Sequence, residues 1–265
     1  MQIATIVFDG QYVMAGALTG FVVGLTGVGG GALMTPMLLL FFGVSPVTAV
    51  ATDLWFAVIT KLVAARIHNK AGQVDWHVVR WLWAGSLPMA MLVVVAMSWV
   101  GPLARVEWLT KTIGALVVIT ALGLLLAPRL LAAARKQRVG NPKKFKSLQP
   151  GLTMGAGTVL GVCVALTSVG AGALGSVVLL SLYPLRITPH RLVATDIVHA
   201  IPLAAVAGLG YLWVGSVDGQ MLLNLLTGSM PAAVLGSLLA KRLHGRWIQM
   251  ALALVLLVAG VKVWM

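Results

Sequence analysis

Six stretches of this chain, 48–66, 77–100, 108–127, 190–213, 219–240 and 247–264, are dominated by apolar residues and carry very few charges. A run of roughly 20 such residues, wound as a helix, crosses the hydrocarbon core of a bilayer. Backbone exposed to lipid must satisfy its own hydrogen bonds, which leaves helices or closed barrels. Runs of this length are helical. The 265 residues are 60% hydrophobic and 9% charged, against about 25% charged in a soluble domain. The expected fold class is an all-α polytopic membrane protein. The opening residues MQIATIVFDG lack a basic segment, so no cleaved signal peptide is expected.

One further apolar run, from Tyr12 to Val44, is interrupted by "GLTGVGGGAL" at 24–33. Glycine at 27, 29, 30 and 31 breaks any helix there, leaving two short helices, 12–26 and 31–43. The same punctuation recurs as "ALTSVGAGAL" at 165–174. At an offset of 141, Gly16, Gly20, Thr26, Val28, Gly29, Gly31, Ala32 and Leu33 match Gly157, Gly161, Thr167, Val169, Gly170, Gly172, Ala173 and Leu174. At an offset of 143, "SPVTAVATD" (45–53) faces "TPHRLVATD" (188–196), "GQVD" (72–75) faces "GSVD" (215–218), and "GSLP" (85–88) faces "GSMP" (228–231). The chain is expected to hold two transmembrane repeats, 5–127 and 148–265, joined by a basic linker at 128–147.

Charge sets the orientation of the copies. If each glycine-broken pair of short helices returns to its starting face, sixteen of the nineteen Lys and Arg residues share one side. The positive-inside rule favours that arrangement. Each repeat is then a hairpin plus three spans, and the copies are inverted. The chain has eight spans and two hairpins, or ten spans, with the linker cytoplasmic and both termini periplasmic. The net charge of +13 is thereby accounted for by short cytoplasmic loops, and no nucleic-acid partner is expected.

Non-helical backbone at membrane depth survives where protein covers it or where it lines a cavity. The amides that follow such a turn are unpaired and carry partial positive charge, and transporters use such half-helix ends to hold ions. The expected anion site comprises Thr26, Gly27, Gly29, Gly30 and Gly31, with Thr167, Ser168, Gly170 and Gly172 in the second copy. Alternatively the glycines serve only to allow tight hairpins. Asp53 and Asp196 close the repeated VATD about two turns into a span, with Thr52 and Thr195 beside them. Intramembrane carboxylates are functional candidates by default. They either couple transport to protons or accept hydrogen bonds that fix the turns. His199 shares a helix face with Asp196 and is a further ion-coupling candidate, although a buried packing histidine is the commoner case. Lys61 and Arg66 are expected to snorkel to the inner interface.

Other chemistries find little support. "GAGALG" at 170–175 formally matches a dinucleotide fingerprint, but the flanks are membrane helices rather than a βαβ unit. The chain has neither H-E-x-x-H spacing nor a convincing Ser/His/Asp set, so an enzyme is not expected. Cys163 is the sole cysteine; no metal and no cofactor are expected. Small-residue stripes at Gly16, Gly20 and Gly24 and at Gly157, Gly161 and Ala165 suit close helix packing, and a homodimer is compatible with them.

The residues "GLTGVGGGALMTPMLLL", "GVSPVTAVATD", "GQVDW" and "GSLP", echoed in the second half, resemble the TauE/SafE family of sulfite-exporter-like anion permeases. The resemblance covers nearly the whole chain apart from the linker and extreme termini. It implies a bacterial cytoplasmic-membrane transporter of sulfite, sulfonates or related small anions, working by secondary transport. Its binding region would fall on Gly27 to Gly31 and Ser168 to Gly172, beside the VATD segments. Asp53 and Asp196 stand where that pattern often has Ser. A passive anion channel and a helper subunit of a larger membrane complex are the alternatives.

Overall fold

The computed structural model of the chain describes residues 8–26, 31–70, 73–99, 102–140, 142–170, 172–183, 189–213, 217–240 and 245–265. These form helices α1 (Gly10–Thr26), α2 (Gly31–Phe42), α3 (Pro46–Lys70), α4 (Trp76–Trp99), α5 (Pro102–Gly140), α6 (Pro142–Thr167), α7 (Ala173–Leu182), α8 (Pro189–Trp213), α9 (Gly219–Ala240) and α10 (Gly245–Trp264). No strand occurs among the described residues. Among the described residues six helices, α3, α4, α5, α6, α8 and α9, are long and apolar enough to cross a membrane; the expected eight spans beside two hairpins is an overcount, since two repeats of three spans make six. The short helices α1 and α2 lie on either side of the first glycine cluster in the sequence, and α6 and the short α7 on either side of the second.

Helix ends follow the local chemistry. Ser45 Oγ accepts the Thr48 amide at 3.2 Å, and Pro46 opens α3; Pro is pre-shaped for this first position and has no amide to leave unpaired. Asp75 Oδ1 accepts the Val78 amide and Asp218 Oδ1 the Met221 amide, capping α4 and α9. The segment 128–147 departs from a simple connector. It continues α5 to Gly140 and is helical again from Pro142, because "LLAAARKQR" is rich in strong helix formers. Trp76, Trp99, Trp213 and Trp264 stand exposed at helix ends and Trp108 near the start of α5, where a membrane interface would accept both ring and N–H.

The packing partners of corresponding helices correspond. Gly16 and Gly20 of α1 lie against the backbone of Leu225 and Ser229 in α9; Gly157 and Gly161 of α6 lie against Leu82 and Ser86 in α4. Gly228 meets Val13, and its counterpart Gly85 meets Met154. A methyl group at any of these glycines would overlap a carbonyl oxygen of the facing helix. The chain numbers rise together, so α1 runs parallel to α9 and α6 parallel to α4.

The two central helices behave differently. Trp55 Nε1 donates to the Gly208 carbonyl at 3.2 Å, while Lys61 reaches Asp196. Numbers rise along α3 as they fall along α8, so these mates are antiparallel. Helices α5 and α10 are antiparallel too, with Gly114 against Trp264 and Gly260 against Val118. The main apolar core lies between these pairs and draws on both halves, with Leu54, Val58, Ile113 and Val117 meeting Leu203, Ala207, Leu252 and Leu256.

Adding a methyl at Gly20 or Gly161 must separate two helix backbones. Gly20→Ala and Gly161→Ala are each expected to cost about 1–3 kcal/mol. Gly155→Ala, in open space on α6, is expected to gain up to about 1 kcal/mol from helix propensity alone. Thermal unfolding of the three variants in detergent checks this; equal effects at all three positions would contradict it.

Candidate functional site

The second glycine turn is built from residues that use their hydrogen bonds locally. Helix α6 ends at Thr167, whose hydroxyl donates to the Cys163 carbonyl (2.7 Å) and accepts the Val169 amide (3.2 Å). The Ser168 amide takes the Val164 carbonyl, and the Tyr211 hydroxyl of α8 takes that of Ala165. Ser168 then adopts φ 57 and Gly170 φ 125. The first is a left-handed conformation that costs a non-glycine residue about 1–2 kcal/mol. It holds the Ser168 hydroxyl, buried and without a hydrogen-bond partner, at the turn. Gly172 is the N-cap of α7 and supplies no side-chain cap. The Gly175 amide closes back on the Gly170 carbonyl at 2.9 Å.

Of the first turn, Gly27, Gly29 and Gly30 lie outside the described residues; Thr26 ends α1 and Gly31 begins α2.

Both VATD carboxylates are buried. Asp53 Oδ2 accepts the Thr35 hydroxyl at 2.6 Å, which ties α3 to α2. Ser168 lies beside the same carboxylate, yet neither Asp53 Oδ1 nor Ser168 Oγ is placed for a hydrogen bond. Asp196 Oδ2 lies 3.6 Å from Lys61 Nζ. Its Oδ1 has no hydrogen-bond partner and rests where a side chain on Gly175 would begin. Both acids therefore gather at the second turn and the first turn of α7.

The placement of Lys61 corrects the expectation that it snorkels. Its side chain is only 9% exposed. Its charge lies nearest Asp196, with His199 and Asp53 also within its reach. Thr35 and Ser86 were likewise not singled out by sequence reasoning. The signal for Thr35 was its place one turn after the glycines; for Ser86, its place in the repeated GSLP.

His199 is fully buried, with Nε2 3.0 Å from Ser86 Oγ and its carbonyl accepting Trp83 Nε1 at 3.0 Å. These contacts fix it to α4. Its Nδ1 has no hydrogen-bond partner. Thr52 and Thr195 point away from the acids and across the halves. The Asp218 amide donates to Thr52 Oγ1 (3.4 Å) and the Asp75 amide to Thr195 Oγ1 (3.0 Å), two equivalent bonds at the starts of α9 and α4. Among the described residues no three His, Cys, Asp or Glu side chains cluster to hold a metal ion.

A multi-pass helical protein with charged groups buried beside a broken helix belongs structurally with membrane transporters. The family described as "Sulfite exporter TauE/SafE" matches residues 12–263, and the chain belongs to that family. It is 33% identical over 256 residues to the "Probable membrane transporter protein YjnA" of Bacillus subtilis, covering 94% of this chain and 97% of the relative. A "Probable membrane transporter protein" of Haemophilus influenzae is 31% identical over 167 residues, 60% of this chain and 58% of the other. The "Probable membrane transporter protein YdhB" of Bacillus subtilis is 24% identical, covering 83% and 85%. No solved structure gives a significant match. Family and relatives make this chain a membrane transporter of the sulfite-exporter type.

Removing one partner of a buried ion pair strands the other. Lys61→Met is expected to cost about 3–5 kcal/mol, and Lys61→Met/Asp196→Asn to recover most of that loss. Denaturation of these two variants and of Asp196→Asn alone provides the measurement. A double variant as unstable as the sum of the two single changes would show that the pair does not act as a unit.

Proposed function

We propose that the protein is a secondary transporter that moves a small anion, such as sulfite, a sulfonate or another organosulfur or carboxylate anion, across the bacterial cytoplasmic membrane by alternating access. In this reading 5–127 and 148–265 are inverted repeats, the basic segment 128–147 is cytoplasmic and both termini are periplasmic. The observation that carries it is the exchange relation between the halves. Helices α1 and α9 pack as α6 and α4 do, while the mates α3 and α8 run antiparallel. An odd number of crossings in each repeat, as in a returning hairpin plus three spans, would produce antiparallel mates, and this supports the inverted reading. Rocking of two such halves would expose the central helices to one side and then the other.

The buried groups support an anion as cargo. Lys61 supplies a fixed positive charge, and the glycine-capped start of α7 a partial one. The same groups sit among carboxylates, which is the arrangement expected of a coupled carrier rather than of an open anion pore.

Two measurements test this reading. Purified protein is expected to be stabilised against heat by one class of anion from a panel of sulfite, sulfonates, thiosulfate, carboxylates and halides, and to take up that anion saturably in liposomes by itself. Absence of both effects across the panel would favour a helper subunit. In a Cys163→Ser background, a cysteine introduced at Arg138 is expected to react with an impermeant thiol reagent only from the cytoplasmic side, and one at Met265 only from the periplasmic side. Labelling of both from one side would rule out the inverted arrangement.

A further inference from the structure

We propose that Lys61 is the cation that receives the transported anion and that the Asp196 carboxylate is its built-in competitor, so that each anion bound is matched by one proton taken up on Asp196. The inference rests on the transport reading above and assigns its coupling.

The geometry is that of an anion site already filled by an anion of the chain. Asp196 is buried, and its two oxygens are divided between two positive features. Oδ2 lies 3.6 Å from Lys61 Nζ, within ion-pair distance but beyond a direct hydrogen bond. Oδ1 rests against Gly175 in the first turn of α7, with no hydrogen-bond partner of its own. A Cβ at Gly175 would overlap that oxygen and displace it. The helix start beneath it has no side-chain cap. An ammonium and a helix N-terminus facing one carboxylate make a receptor for a small oxyanion. In this conformation the carboxylate occupies it.

A substrate anion can take that place only if the carboxylate gives it up. Two anions sharing one buried ammonium leave an uncompensated charge, which is costly in a low-dielectric interior. Protonation of Asp196 removes the conflict. The carboxylate takes a proton from the side to which the site is open, becomes a neutral acid, and leaves the Lys61 ammonium, beside the start of α7, to the substrate. Release of the anion returns Asp196 to Lys61 and its proton to solution. A monoanion thus travels with one proton and no net charge.

The other groups around Asp196 define the controls. Helix α3 contributes Asp53, held by Thr35, and Lys61. Helix α8 itself carries His199, fixed to Ser86, and Arg191, which lies 4.0 Å from Asp75 at the start of α4. Helix α7 and residues 148–167 of α6 contain no charged residue. Asp53 is the alternative proton carrier.

The test uses the purified full chain in detergent and methanesulfonate as probe, because a sulfonate stays ionised throughout the working range and any proton that moves belongs to the protein. Calorimetric titration in two cationic buffers of different ionisation heat counts protons per anion. Wild type is expected to take up about one proton per anion, with affinity falling about ten-fold per pH unit on the alkaline limb. Asp196→Asn is expected to bind about ten-fold more tightly or better, with no proton uptake and a flat pH profile, and to regain lost thermal stability when the anion is added. Lys61→Gln is expected to lose about ten-fold or more in affinity, which Lys61→Arg restores, while Asp53→Asn keeps the proton count. The inference is overturned if wild type binds the probe without a proton, if Asp196→Asn binds it less well, if Asp53→Asn abolishes the uptake, or if neither wild type nor Asp196→Asn binds it. Any of those results alongside saturable anion uptake in liposomes would leave the transport reading standing.

Discussion

Close contact between helix backbones is the interaction on which the rest of this structure depends. Within lipid, apolar side chains gain little by leaving one greasy surface for another, so helices adhere through packing at short range. Glycines supply that range along two equivalent seams, α1 on α9 and α6 on α4. Each seam joins one half of the chain to the other. The flanking pairs are thereby held together, and the middle of α3 and of α8 is buried beside α5 and α10. Enclosure is what allows Asp53, Lys61, Asp196 and His199 to exist at membrane depth, since lipid-facing positions would not tolerate them.

The scaffold is more symmetric than the chemistry it carries. Seams, caps and central helices recur in both halves, but Lys61 corresponds to Ala204, His199 to Phe56, and Gly175 to Met34. Asp196 accordingly faces the start of α7, while Asp53 is tied to α2 through Thr35. The frame is used twice but furnished with charge unequally.

Much of this was legible in the sequence, for identifiable reasons. Glycine and proline announce where helices stop and start, so the breaks after Thr26 and Thr167 and the starts at Pro46 and Pro189 could be read directly. The buried acids were legible because so few charges occur in these spans. Lys61 was not, because its depth was judged along its own helix alone. It lies fifteen residues beyond Pro46, about 22 Å down α3 at 1.5 Å per residue. Asp196 lies seven residues beyond Pro189, about 10 Å down α8. On antiparallel helices those depths together match a hydrocarbon core of roughly 30 Å, so the two side chains stand at one level. The reach of Thr52 and Thr195 across the halves was equally hidden, because a residue beside a functional acid invites a local reading. The helical course of 128–147 was missed because its charge was read and its helix propensity was not.

The crossed bonds from the amides of Asp218 and Asp75 to Thr52 and Thr195 bear on how such a molecule is made. Helix α4 leaves the ribosome long before α8, and α3 long before α9. Until the second half is inserted, the Asp75 amide has no threonine to bond, and Thr52 waits for an amide not yet synthesised. The seams impose a delay as well, because the partners of α1 and α4 both lie downstream. In chain order α6, the partner of α4, follows α5 directly, whereas α1 must wait for α9, so the two seams become available at different times. A nascent chain arrested after α5 would carry the glycine faces of α1 and α4, and Lys61, into the membrane without the helices that later cover them.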